Sequence, residues 1–186
     1  MRLLLRFSGF VDQFSHRLGR VVAWLALSMV LVQFLVVILR YVFNTGQIWL
    51  QESIIYQHAL LFMLGASYTL LKDGHVRVDI FYAGASVRAK ALVDLLGAAF
   101  LLLPMTGLIL YVSQPYVARS WAVFEGSRET SGIPAVFLLK TVILVFAVML
   151  FLQGLSLMIR SLAVLAGHRP PPRPHEADEA GDRVEV

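Results

Sequence analysis

The stretch Leu60–Tyr82, LLFMLGASYTLLKDGHVRVDIFY, decides how this chain is read. An apolar helical run thins into small residues at Gly65, Ala66 and Ser67, stops near Gly74, and gives way to Lys72, Asp73, His75, Arg77 and Asp79. A helix that is apolar around most of its circumference and ends abruptly in charges is a segment leaving a membrane. The charges contain no catalytic set; they form a junction.

Crossing a hydrocarbon layer of about 30 Å takes about 20 mostly apolar helical residues. Four stretches qualify: residues 21–39, 48–71, 91–112 and 134–165. Of the 186 residues, 58% are apolar, above the roughly 45–50% of a soluble domain. The expected fold is therefore an all-α integral membrane protein with four transmembrane helices, preceded by an interfacial helix over residues 1–20 and followed by a tail over residues 167–186. The four spans form one domain over residues 21–166, leaving no room for an extramembrane domain.

The net charge of +4 is informative by position. Arg2, Arg6, Arg17 and Arg20 precede the first span, and Lys72, Arg77, Arg88 and Lys90 lie between the second and third. The positive-inside rule then puts both termini and the middle loop in the cytoplasm. Topology accounts for the basic residues, so no nucleic-acid partner is expected. Cysteine is absent, which excludes disulfides and thiolate chemistry. The first span has no small-x-small cleavage site after it and reads as a retained helix.

Ahead of that span, Leu3, Leu4, Phe7, Phe10, Val11, Phe14 and Leu18 fall on one helical arc. Arg2, Arg6, Asp12, Gln13, His16 and Arg17 fall opposite. The pattern predicts an amphipathic helix on the cytoplasmic membrane surface; the alternative is that these residues extend the first span. After Gly167 the sequence HRPPPRPHEADEAGDRVEV has prolines, charges and no apolar period, which predicts a disordered tail.

The second span carries Glu52, Gln57 and His58 and is the least apolar. Glu52, Tyr56, Ala59 and Met63 share one face, whereas His58, Gly65 and Thr69 share another; small residues on a face allow close helix approach. Two faces unsuited to lipid point to protein neighbours on two sides. In the third span Pro104 removes a backbone hydrogen bond and predicts a kink near Leu101. Ser131-Gly132-Ile133-Pro134 then reads as the start of the fourth helix.

Lys140 enters that helix about 9 Å from its start at 1.5 Å per residue, and a lysine inside a span costs about 3 kcal/mol on insertion scales. It needs a partner. Ala147 and Gly154 share its face, and Glu52 lies at a similar depth, so a Glu52–Lys140 contact between the second and fourth helices is expected. Snorkelling of Lys140 to the outer surface is the alternative.

Of the five histidines, only His58 falls near the middle of a span, which leaves a transmembrane haem without its second axial ligand. His58 reads as a packed core residue. No metal-ligand spacing, Ser/His/Asp arrangement or phosphate-binding Gly-rich loop occurs, so neither catalysis nor a cofactor is expected. Nor does the chain contain the internal repeat of a complete carrier.

Trp49 and Glu52, then Gly65-Ala66-Ser67-Tyr68-Thr69-Leu70, then Gly74-His75-Val76-Arg77-Val78-Asp79 form a pattern that resembles the small membrane subunit, DctQ-like, of tripartite ATP-independent periplasmic (TRAP) transporters. Trp121, Glu125, Ser127, Gly132, Pro134, Lys140, Gln153 and Gly154 extend the resemblance over nearly the whole chain. It implies a scaffold subunit in a bacterial inner membrane, without catalysis of its own. Its partners would be a large membrane subunit, which would hold the coupling sodium, and a periplasmic binding protein that delivers an organic anion, commonly a carboxylate. By the same resemblance His58, Gly65, Gly74, His75, Arg77 and Asp79 are candidates for the subunit interface or for a motif that merely ends the helix. Trp49, Trp121, Glu125 and Arg128 are candidates for docking the periplasmic protein. Competing readings are a four-helix membrane anchor for a redox enzyme and a stand-alone small carrier.

Overall fold

A computed structural model describes residues 1–75, 82 and 84–176 of the chain. Among them all regular structure is helical. Four helices are long and apolar enough to cross a membrane: α1 (Arg2–Tyr41), α2 (Ile48–Leu71), α3 (Val87–Ala122) and α4 (Val136–Leu165), with α2 the least apolar of them. The protein is a multi-pass membrane protein. α1 and α4 meet near the N-terminus and the end of α4, which defines a terminal end of the bundle; the connections 42–47 and 123–135 define the opposite, loop end.

α4 is the hub. It packs on α1, α2 and α3, and α1 also packs along α2, whereas α3 makes extensive contact with α4 alone among the described helices. Small residues set these approaches. A Cβ on Gly19 would run into the Tyr68 ring, so the Tyr68 side chain of α2 packs directly on the α1 backbone there. A Cβ on Gly154 would come within 2.9 Å of Leu102, and Ala147 on the same helix is fully buried.

α1 differs from the expected pair of elements. It runs unbroken for 40 residues, about 60 Å at 1.5 Å per residue, so the amphipathic segment continues directly into the span. The partition of its faces also differs from the surface reading. Leu3, Phe10 and Phe14 are exposed as an apolar face should be, but Ser8, Asp12, Ser15 and His16 on the polar side are buried. That face meets protein rather than water.

α3 is longer than the 91–112 reading. Its N-terminus is capped by the Ser86 hydroxyl, which accepts from the Ala89 N–H, and it continues through Pro115, an exposed position where the missing N–H is tolerated. Instead of a simple kink at Leu101, the helix widens into a π-turn at Ala98–Leu102. Such a turn absorbs the hydrogen bond that Pro104 cannot donate. The buried Thr106 hydroxyl covers the exposed carbonyls of Leu102 and Leu103 at 2.8 and 3.1 Å.

Three helices end in the same motif, a residue past the cap in the left-handed region with paired returning N–H bonds. The residues are Asp73 at φ 53°, Phe124 at φ 45° and Gly167 at φ 79°. For α2, the Gly74 N–H returns to the Thr69 carbonyl at 2.9 Å and the Asp73 N–H to Leu70 at 3.2 Å. The reversal expected at Gly74 is made by Asp73. Beyond Gly167 the chain does not leave the bundle at once: residues 168–176 fold back across its terminal end, unlike the expected disordered tail. Residues 177–186 lie outside the described part.

Candidate functional site

The largest polar cluster lies at the terminal end between α1 and α4. Ser8, Asp12 and Ser15 recur at helical spacing on one helix and face Gln153, Ser156 and Arg160 on the other. Asp12 Oδ1 accepts from Ser156 Oγ at 2.6 Å and from Gln153 Nε2 at 2.9 Å, while Arg160 Nη1 stands 3.3 Å from Asp12 Oδ2. Ser15 donates to Gln153 Oε1 at 2.8 Å, and the Ser8 and Ser156 hydroxyls are 2.6 Å apart. Asp12 is 1% exposed. A buried charge is tolerated only when paired and hydrogen-bonded, and this network supplies both.

None of these contacts was anticipated from sequence, although the signal was present. A polar stripe on α1 and a Gln-Ser-Arg stripe on the mostly apolar α4 share one period. Reading the first as water-facing concealed that the two stripes meet.

The second cluster closes the loop end. The N-terminal turn of α2 presents Glu52, which accepts from the Ser127 hydroxyl and, at 2.6 Å, from the Ile133 N–H. Gly132 makes this possible, since a side chain there would collide with Ser127 and Glu52. Lys140 is bound to Glu125 at 2.5 Å, with its ammonium 4.2 Å from the centre of the Tyr116 ring. The expected Glu52–Lys140 contact is therefore replaced by two separate ones: the 123–135 connection folds between the carboxylate and the ammonium and gives each a nearer partner.

Glu125 also accepts from Ser120 at 2.7 Å. The Lys140 hydrogen bond, followed by that from Ser120, holds its carboxyl below the usual carboxylate range. Next to this pair, Trp121 donates its indole N–H to Thr141 at 2.8 Å and packs edge-on against Phe137, 4.7 Å between ring centres.

The other candidates separate by environment. Glu125 is engaged within the chain, whereas Trp49 is 50% exposed and Arg128 is exposed, so these two present free surface at the loop end. His58 is not a core residue: it is exposed on α2, stacked parallel to Phe62 at 6.2 Å. Gly65 has open space above it, so its small size serves no approach inside this chain. Gly65, Gly74 and His75 instead border a groove of about 480 Å³ between α1 and α2, lined also by Ala23, Phe62 and Thr69. Arg77 and Asp79 lie outside the described residues. No group of three His, Cys, Asp or Glu side chains comes together as a metal site among the described residues.

Four helices able to span a membrane, joined to one another by internal polar networks, define a multi-pass helical membrane protein. The model of the DctQ component of tripartite ATP-independent periplasmic transporters matches residues 29–164, well over half of the chain, and the chain belongs to that family. It is 29% identical over 129 residues to the C4-dicarboxylate TRAP transporter small permease protein DctQ of Vibrio cholerae, a match covering 67% of this chain and 53% of that protein. The chain thus spans about half the length of this curated relative. No solved structure matches it. The family is one of transporter components, and the match lends no support to a redox-enzyme anchor.

Proposed function

We propose that this chain is the small permease subunit of a TRAP-type importer of an organic anion in a bacterial inner membrane. Its termini are cytoplasmic, and its task is to pack on and stabilise a large permease subunit that carries the transport site and the coupling sodium. The family match over residues 29–164 is the observation that carries this reading. The name of the Vibrio cholerae relative makes a C4-dicarboxylate the first substrate to test. A periplasmic binding protein would deliver it, with the exposed Trp49 and Arg128 at the loop end as docking residues.

The α1–α2 groove is the face we assign to the large subunit. Lipid tails cannot satisfy the ring nitrogens of His58, and α2 is the least apolar of the four spans. Open space at Gly65 accommodates the close approach of a neighbouring transmembrane helix.

Purification of the tagged chain in mild detergent, followed by mass spectrometry, tests the assignment. The expected companion is a large multi-span permease, cross-linked through a photoreactive residue at position 58 but not through one at Leu101, which lies exposed on α3. Isolation of the chain with a haem protein or a dehydrogenase instead would overturn the reading.

A further inference from the structure

Residues 168–176 close the terminal end of the bundle, and their chemistry explains how. Pro170, Pro171 and Pro172 have no N–H to donate, so this rigid run presents carbonyls only, which suits a cationic partner. Arg160 Nη2 donates to the Pro171 carbonyl at 2.6 Å, while its Nη1 faces Asp12. Farther along, Arg173 Nη1 donates to the Leu71 carbonyl at 2.8 Å and to Asp73 Oδ2 at 2.7 Å. Leu71 is the last residue of α2, and its carbonyl is among those a helix end leaves without a backbone partner. Glu176 accepts from the Arg173 N–H at 2.9 Å and holds the turn.

The segment thus ties α4, through Arg160, to the end of α2. It also roofs a cavity of about 250 Å³ whose far wall is Val87, Lys90 and Asp94 of α3 and whose floor includes Leu157 and Ser161. α1–α2 and α3 make little contact with each other, so this roof spans a seam between two parts that otherwise meet through α4.

Its grip is light compared with the helices it joins. The Arg173–Asp73 pair is 17% and 43% exposed, where salt screens it, and few apolar side chains accompany the prolines. A segment held by a few polar contacts on a stiff spacer opens as a unit and at far lower cost than the bundle unfolds.

We propose that residues 168–176 are a detachable strap. Seated, it covers Ser161 in the cavity between α3 and α4 and clamps the end of α2. Released at Arg173, it lifts Pro171 from Arg160, frees the Leu71 and Asp73 end of α2, and admits water to Ser161 and the Arg160–Asp12 pair behind it.

Because the chain has no cysteine, one introduced thiol reports the state of the strap. Ser161 is 5% exposed, and Ser161→Cys is nearly isosteric. In the full chain in mild detergent, its labelling by a charged maleimide should be slow compared with that of Arg88→Cys, an exposed control on α3. Arg173→Gln, or a stop codon after Gly167, should raise the rate at position 161 about tenfold, as loss of an anchor worth about 1.4 kcal/mol would, and leave position 88 unchanged. Asp73→Asn, which keeps a residue tolerant of the left-handed backbone, should give a smaller rise in the same direction. Equal rates at position 161 with and without the strap would overturn the proposal. So would a parallel rise at Ala147→Cys, a fully buried site, since that would mean the whole bundle had loosened.

Discussion

At the terminal end, Asp12 and Arg160 meet with 1% and 8% of their side chains exposed; at the loop end, Glu125 and Lys140 meet with 35% and 16% exposed. The two pairs contain the same charge types and differ in what surrounds them. Asp12 is enclosed by side chains from two helices far apart in sequence, so its pair can form only when α1 and α4 are in register. Glu125 stands on a connection, within sight of the solvent, and its pair mainly fastens that connection down. Burial rather than charge sets the consequence of losing either: a stranded buried ion has no water to fall back on, whereas a stranded surface ion simply hydrates.

The largest expected effect therefore follows from breaking the terminal-end pair on one side only. Arg160→Met leaves Asp12 buried beside an apolar side chain and should cost about 3–5 kcal/mol, read as a loss of folded protein in denaturant titration in detergent micelles. Removing both charges, Asp12→Leu with Arg160→Met, should recover most of that loss, because an apolar pair of similar volume often matches a buried ion pair. A double variant no better than the single one would mean that the pair itself, and not the stranding of Asp12, carries the stability.

Next comes the packing that brings the terminal-end face together. Gly19→Leu places a side chain where the Tyr68 ring lies and should cost about 1–3 kcal/mol, the usual range for overpacking. Gly65→Leu sharpens the comparison, because the space above Gly65 is open. Its isolated chain should melt within a few degrees of the parent, while its co-purification with a large permease subunit falls. Loss of stability in the isolated Gly65→Leu chain would show that Gly65 serves this bundle and not a partner.

These two glycines also show what the sequence discloses. The four spans were legible because length and apolarity identify a membrane helix without knowledge of its neighbours. Which glycine faces a neighbour was not, since Gly65 and Gly19 both border the α1–α2 groove and only coordinates reveal that Tyr68 occupies the space beside one of them. Lys140 illustrates the same limit. Its need for a carboxylate followed from its depth in the helix, but choosing between Glu52 and Glu125 required the path of the 123–135 connection. Asp12 and His16 on the polar face of α1 were misread because amphipathicity says that a polar face avoids lipid, not whether water or protein receives it.

The loop-end pair should respond to pH where the parent fold is otherwise robust. Lys140 first, and Ser120 second, depress the Glu125 carboxyl in the folded chain. Its contribution is then complete above the ordinary carboxylate value of about 4.3 and is lost as pH falls through the lower folded value. The thermal midpoint of the parent should decline between pH 5 and the acid limit more than that of Glu125→Gln, which has no charge there to lose. At neutral pH the variant should already melt lower. Identical pH profiles for the two would place the acid sensitivity elsewhere in the chain.

The smallest effect, and the one with the least obvious sign, is at Phe124, where the same loop begins. A bulky residue at φ 45° pays for the left-handed backbone about 1–2 kcal/mol relative to glycine. Its ring meets Phe137 edge-on at 5.6 Å and Trp121 at 6.4 Å, contacts worth about 0.5–1.5 kcal/mol. Phe124→Ala keeps the backbone cost and discards the ring, so it should destabilise by about the value of those contacts. Phe124→Gly discards both, and the two changes should nearly cancel, to within about 0.5 kcal/mol. The order is thus parent and Phe124→Gly together, with Phe124→Ala below. Should Phe124→Gly fall as far as Phe124→Ala, the aromatic cluster rather than backbone relief would govern this turn, and the loop-end clasp would rest on packing as the terminal end does.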